Sequence, residues 1–180
     1  MSNIFTDRIA TLNDLDVLHA LMARSIALLQ SDYLTPEQIV ASAKVMGLDT
    51  QLVRDGTYFI IEREGQIAGC GGWSFRATLY GGDDSVVARE PARLNPVTDA
   101  AKVRAMYTNP DFTRQGIGSL ILALCEAAAR QAGFKRVELM GTAAGVPLYS
   151  AQGYVPSAEQ EYARVGDVAI PLLRMEKRLG

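Results

Sequence analysis

The stretch Tyr107-Thr108-Asn109-Pro110-Asp111-Phe112-Thr113-Arg114-Gln115-Gly116-Ile117-Gly118-Ser119 has the make-up of an anion cradle. It reads as a strand, a loop and the opening turn of a helix. The first turn of a helix carries backbone N–H groups without intrahelical partners, at the positive end of the helix dipole. Glycines at 116 and 118 let an anion approach those amides with no Cβ in the way, and Arg114 adds a cation. The arrangement suits a pyrophosphate. Two common nucleotide motifs are excluded: the GxGxxG fingerprint needs a third glycine where Ile121 stands, and GxxxxGK[ST] is absent. Taken alone, Gly-x-Gly is equally a device for close helix packing.

Alternating strand-like and helix-like runs must position this cradle, which argues for an α/β or α+β fold. Phe5 to Ala10 reads as a strand. Asn13 or Asp14 can cap a helix to about Leu29, with Leu15, Leu18, Leu21, Met22 and Ile26 on its apolar face. Thr35-Pro36-Glu37-Gln38 is a capping box with proline at the first helical position, predicting a second helix to about Val45. Residues 58–62 and 66–75 form a hairpin around Glu64-Gly65, and Gly69, Gly71 and Gly72 mark a bulge or a close neighbour in its second strand. Residues 76–100 give no regular signal and read as a functional loop. A strand over 102–108 follows, then a helix over 117–131 with Ile117, Leu120, Ile121, Leu124 and Ala128 on one face, ended by Gly133. A strand at 136–140, a short helix at 146–151 closed by Gly153, and a final strand pair at 162–165 and 169–177 complete the chain.

Composition narrows the function classes. The 180 residues are 48% hydrophobic and 21% charged, with net charge −2, so one globular domain over 1–180 is expected and a basic nucleic-acid footprint is not. No apolar run is long enough for a membrane span, and the N-terminus has no basic segment leading into an apolar one, so a cytoplasmic location is expected. Cys70 and Cys125 form no CxxC pattern and read as buried, reduced thiols. His19 is the only histidine, which speaks against a histidine triad or a His-rich metal site, and reads as a helix-boundary or partly buried residue.

Arg114-Gln115-Gly116-Ile117-Gly118, after a strand and opening a helix, resembles the acetyl-CoA signature Arg/Gln-x-x-Gly-x-Gly/Ala of the GCN5-related N-acetyltransferase (GNAT) family. The first signature position falls on Thr113, so no side-chain role carries over there; a backbone cradle from Gln115 to Ser119 does not depend on it. Leu139 to Tyr154 is similar to the family's second block, a strand and short helix with a Tyr-x-x-x-Gly-Phe/Tyr ending, here Tyr149 to Tyr154. Both blocks stand in the family's order over residues 101–155.

The resemblance implies an α/β (α+β) domain with a mixed, mostly antiparallel sheet of about six to seven strands, helices on both faces, and two central parallel strands splayed apart at their C-terminal ends. It implies acetyl-CoA as co-substrate, with no metal. The pantetheine arm would pair with the backbone of Met106, Tyr107 and Thr108 and pass Thr142, and the pyrophosphate would sit on Arg114, Gln115, Gly116, Ile117, Gly118 and Ser119. An amine attacking a thioester generates an oxyanion and expels a thiolate, so the Met106 N–H is the expected oxyanion donor and Tyr149 the expected acid at sulfur. Glu138 is a candidate base, with a cross-strand pair to Arg104 as the plainer reading. Trp73, Phe75, Arg76, Tyr80 and Tyr33 are candidates to line the site of the acceptor, a small-molecule or peptide amine. A homodimer is expected from the family. The alternative is a non-catalytic, acyl-CoA-binding regulatory domain. Gly118→Glu is expected to remove CoA affinity without disturbing the fold.

Overall fold

A computed structural model describes residues 4–180. Its elements in chain order are β1 (Thr6–Ile9), α1 (Leu15–Leu29), α2 (Pro36–Ser42), α3 (Thr50–Arg54), β2 (Tyr58–Arg63), β3 (Gln66–Ser74), β4 (Ala101–Thr108), α4 (Ile117–Gln131), β5 (Arg136–Thr142), α5 (Val146–Ala151), β6 (Val155–Pro156), β7 (Glu161–Val165) and β8 (Val168–Arg178). The strands make one sheet in the order β1-β2-β3-β4-β5-β8-β6, with β7 beside β6 on β8. Every described pairing is antiparallel except β4 with β5. The sheet has eight strands, counting the two-residue β6.

Strand alternation splits the apolar side chains between two cores. In β2, Tyr58 and Ile60 face α1 and meet Leu18, Leu21, Met22 and Ile26. Phe59 and Ile61 point the other way, into the cluster of Ile117, Ile121, Leu122, Cys125 and Ala129 from α4. Burial on both faces explains why β2 reads as an unbroken apolar run. The buried stripe of α4 is rotated from the expected one. Leu120 is 41% exposed and Leu124 and Ala128 only flank the core. The glycines of β3 cause this: a Cβ at Gly69 would lie 2.4 Å from Ile117 Cγ2, and one at Gly71 2.6 Å from Ile121 Cγ2. Those two isoleucines therefore sit directly on the bare strand.

Other boundaries moved for local reasons. Thr35 and Gln38 form the expected capping box, but α2 ends at Ser42. There Lys44 and Val45 donate back to Ala41 and Ser42, tightening the chain into turns. The five-residue α3 is too short for a periodic signal and is held by Asp49, whose carboxylate accepts from Gln51 N at 3.0 Å. His19 lies mid-helix in α1 and is exposed rather than partly buried. Cys70 and Cys125 are buried free thiols on opposite faces of the sheet, and burial pushes the Cys70 thiol up to about 12. Among the described residues no helix is long and apolar enough to cross a membrane.

Gly72 is the point of the hairpin where neighbouring backbone comes closest. A Cβ there would stand 2.5 Å from Thr57 O and 3.0 Å from Tyr58 Cα, both backbone atoms that cannot rotate aside. Gly72→Ala should therefore destabilise the fold by about 1–3 kcal/mol, read as a lowered urea midpoint at unchanged slope. An unchanged midpoint would show that β2 and β3 can separate without cost.

Candidate functional site

The sheet opens at its centre. β4 and β5 pair only at Ala101↔Val137 and Lys102↔Glu138. Beyond that point β5 stays with β8 as far as Thr142↔Leu172, while β4 follows β3. A bulge in β4 accompanies the separation: Cys70 pairs with Tyr107 and Gly72 with Arg104, so Ala105 and Met106 together oppose Gly71. Ala105 takes a left-handed φ of 49°, uncommon for a residue with a Cβ, and Tyr58 Oη donates to its carbonyl at 2.6 Å. Gly71 makes room, because a Cβ there would meet Met106 Cγ at 2.8 Å.

The gap becomes a cleft with two lobes that share Met46, Met106, Tyr107, Thr142 and Tyr149. One lobe, of about 180 Å³, runs past Thr108 toward Gly118, Ile121, Leu148 and Gly145, with Gln30 on the opposite wall. The other, of about 80 Å³, lies between Val45–Gly47, Tyr80–Gly81, Arg104, Met140 and Leu172. Met106, Tyr107, Thr108, Gly118, Thr142 and Tyr149 are thus brought to one cleft.

At the outer end of the larger lobe stands the N-terminus of α4. Gly116 caps it with φ 81° and no side-chain hydrogen bond, and Leu120 is bonded back to Gly116 O at 3.0 Å. The amides of Ile117, Gly118 and Ser119 ahead of it form the free first turn. A Cβ at Gly116 would meet nothing within 4 Å, so the space in front of this turn is open. Arg114 is exposed with a left-handed φ of 57°. Gln115 has a structural job: its Oε1 accepts from Arg63 Nη1 at 2.9 Å, and the Arg63 guanidinium stacks on Phe112 at 4.7 Å. The loop is held further by Asn109, which donates to Ile67 O at 2.8 Å and accepts from Asp111 N at 3.0 Å. Gly118 serves packing as well as openness, since a Cβ there would lie 2.4 Å from Leu148 Cδ2. The fold is thus less indifferent to Gly118→Glu than the sequence suggested.

Tyr149, on α5, stands where the lobes meet. Its ring lies over Gly145, whose Cβ would come within 2.7 Å of Tyr149 Cε2, and tilts against Tyr154 at 6.1 Å. Burial pushes the phenol up to about 12, with Cys125 a smaller cause. The hydroxyl therefore keeps its proton across the neutral and mildly alkaline range. Tyr154 is tied away from the cleft, donating to Glu126 Oε1 at 3.0 Å beside the Lys177 ammonium.

Several candidates fall elsewhere. Glu138 pairs with Lys102 rather than Arg104, because these two residues are register partners at the last point where β4 and β5 touch. It faces a neighbouring cavity, not the lobe that holds Tyr149. Trp73 packs edge-on against both Phe75 and Phe134 on the α4 side of the sheet. Arg76 is bound to Asp55 at 2.7 Å, which holds that carboxyl below the usual range. Tyr33 is exposed. Of this group only Tyr80 reaches the smaller lobe.

Sequence reasoning missed what builds that lobe. Residues 83–86 strap onto 44–48: Asp83 N donates to Leu48 O at 3.0 Å, Val86 N to Lys44 O at 3.0 Å, and Ser85 Oγ to Val45 O at 3.0 Å. Asp49 lies beneath, joined to Arg104 at 3.1 Å and Arg89 at 3.2 Å, and Arg89 also holds Asp83. An arginine inside a strand and an aspartate ahead of a short helix were the only traces of this network in the sequence.

Among solved structures, a GCN5-related N-acetyltransferase from Rhodopseudomonas palustris superposes with a TM-score of 0.70 at 15% identity, covering 97% of this chain and 95% of that one. A ribosomal-protein-alanine N-acetyltransferase from Brucella melitensis gives 0.64 at 20% identity, covering 97% and 99%. The PaiA N-acetyltransferase from Thermoplasma acidophilum, solved in complex with coenzyme A, gives 0.60 at 13% identity, covering 97% and 99%. These likenesses show the fold. No curated protein sequence matches this one. The model of the Acetyltransferase (GNAT) family matches residues 24–154, most of the chain and both halves of the cleft, and the protein belongs to that family of acetyl-CoA-using acyltransferases.

Proposed function

We propose that this protein moves the acetyl group of acetyl-CoA to a primary amine by direct attack, with the two lobes receiving the two substrates. The observation that carries the reading is the gap between β4 and β5, with a free helix turn at one end and a protonated phenol at its middle. When bound, acetyl-CoA supplies an activated acyl group with a thiolate as leaving group. In this reading the amides of residues 117–119, with Arg114 to Gly116, hold the pyrophosphate. The edge of β4 at Met106, Tyr107 and Thr108, facing Thr142 across the gap, pairs with the pantetheine as a further strand would. The Met106 N–H meets the charge that develops on the thioester oxygen. Tyr149 Oη gives its proton to the departing sulfur. No carboxylate lines the smaller lobe among the described residues, so the amine loses its proton to water or in solution rather than to Glu138.

Thiol release with a panel of amines tests this reading. Tyr149→Phe keeps the ring contacts with Gly145 and Tyr154 and removes only the hydroxyl, so kcat should fall on the order of 10²-fold while acetyl-CoA affinity holds. Acetyl-CoA binding with no turnover on any amine would favour a regulatory domain instead. In the pH profile, kcat/KM should rise as the acceptor amine deprotonates and show no descending limb below pH 10, because burial raises the Tyr149 phenol to about 12. A descending limb near pH 8 that disappears in Tyr149→Phe would contradict this. Gly118→Ala, which displaces Leu148 without adding charge, should weaken acetyl-CoA binding on the order of tenfold by calorimetry, and Gly118→Glu should abolish it. Equal affinities in both variants and wild type would place the diphosphate elsewhere.

A further inference from the structure

Among the described residues Arg104 is the only charged side chain on the walls of the smaller lobe, whose other lining is apolar, phenolic, backbone or the Thr142 hydroxyl. It is 4% exposed. Nη1 donates to Asp49 Oδ2 at 3.1 Å and Nη2 to Gly81 O at 2.6 Å, while the buried Nε–H has no partner among the described residues. A buried donor left unpaired is costly, and more so on a charged group. Asp49 compensates the cation only in part, because its other oxygen is 3.2 Å from Arg89. Burial pushes the guanidinium pKa down despite that carboxylate, a sign that the charge is under-compensated.

An amine entering this lobe therefore meets a cation and no carboxylate. A simple alkylammonium would be repelled, whereas an amine that carries its own carboxylate brings the missing counter-charge. The placement fits a short spacing between the two groups. Arg104 and Met106 flank the left-handed Ala105, so the residue that carries the cation is two positions along β4 from the one whose amide is assigned to the thioester oxygen. The lobe is small, about 80 Å³, and Met46, Leu139, Met140 and Leu172 offer apolar walls to a side chain. We propose that the acceptor is a free amino acid, bound with its carboxylate on Arg104 and its amine toward Tyr149. This inference rests on the acetyl-transfer reading of the cleft. Arg104 also favours the reaction, since a nearby cation lowers the pKa of the acceptor's ammonium and raises the share of free amine.

The wild-type protein tests this with matched pairs: apolar amino acids against their carboxamides and their decarboxylated amines, followed by thiol release. Rates are compared at equal concentrations of unprotonated amine, because the amide derivatives are weaker bases. The free amino acids should show the higher kcat/KM, by roughly ten- to a hundredfold. Arg104→Gln should erase that preference through KM, with acetyl-CoA affinity by calorimetry unchanged. Amides or plain amines that match or outperform the acids would overturn the inference, as would turnover confined to peptide N-termini. Acetyl-CoA binding without acetylation of any member of the panel would overturn it too, and leave the CoA lobe standing. Absence of acetyl-CoA binding would instead remove the reading of the cleft itself, and the acceptor assignment with it.

Discussion

The central constraint on this molecule is that β4 and β5 pair for two residues and then part. Parallel strands buried in a sheet normally continue their ladder, because an unpaired amide or carbonyl away from water is costly. Here each strand keeps its outer neighbour and gives up the inner one. The bulge at Ala105 and Met106 turns β4 away, and the Tyr58 hydroxyl fixes it by holding the Ala105 carbonyl at 2.6 Å. Tyr58 is fully buried between α1 and the sheet, so the hydrophobic core and the opening of the cleft are one structure. What remains is a strand edge open to a partner, and the extended amide-bearing arm of the proposed co-substrate would supply one.

Around that edge, separate elements bring their groups to the same place. The loop between β4 and α4 is locked by Asn109 and by the stack of Arg63 on Phe112, which fixes where the first turn of α4 points. Glycines at 69 and 71 let Ile117 and Ile121 settle on β3, drawing that turn down to the mouth of the gap. On the opposite side, the strap of residues 83–86 and the buried Asp49–Arg104 pair shape the smaller lobe. Buried charges of this kind add little net stability, in keeping with the recognition role proposed for Arg104. Among the described residues Tyr149 is held by ring packing, with no hydrogen bond to its hydroxyl.

Much of this was legible in the sequence. The elements with strong local signals stood out: the Thr35 capping box, the hairpin glycines, and the strand, loop and helix around Gly116. That Gly116 opens a helix after a strand and a loop, and that Tyr149 stands on a short helix, was readable because both rest on backbone geometry and short spacing; their roles toward acetyl-CoA are the proposal. What the sequence hid was long-range. Residues 76–100 carry no periodicity because they are held by bonds to segments some forty residues away, such as Ser85 to Val45. Arg104 read as an ordinary strand residue and an ion-pair partner for Glu138, since nothing local shows that Asp49 faces it across the fold. The error over Glu138 has the same source. Strand parity gives the face on which a side chain lies, but the pairing register decides which neighbour it meets, and that neighbour is Lys102.

Amide hydrogen exchange with and without saturating acetyl-CoA tests the open strand edge most directly. Slowed exchange at Met106 and Thr108 and at the first-turn amides of Ile117, Gly118 and Ser119, with β1 and β7 unaffected, is the predicted result. Unchanged exchange at those five amides while acetyl-CoA is bound would contradict it, because the ligand would then lie somewhere other than the gap between β4 and β5.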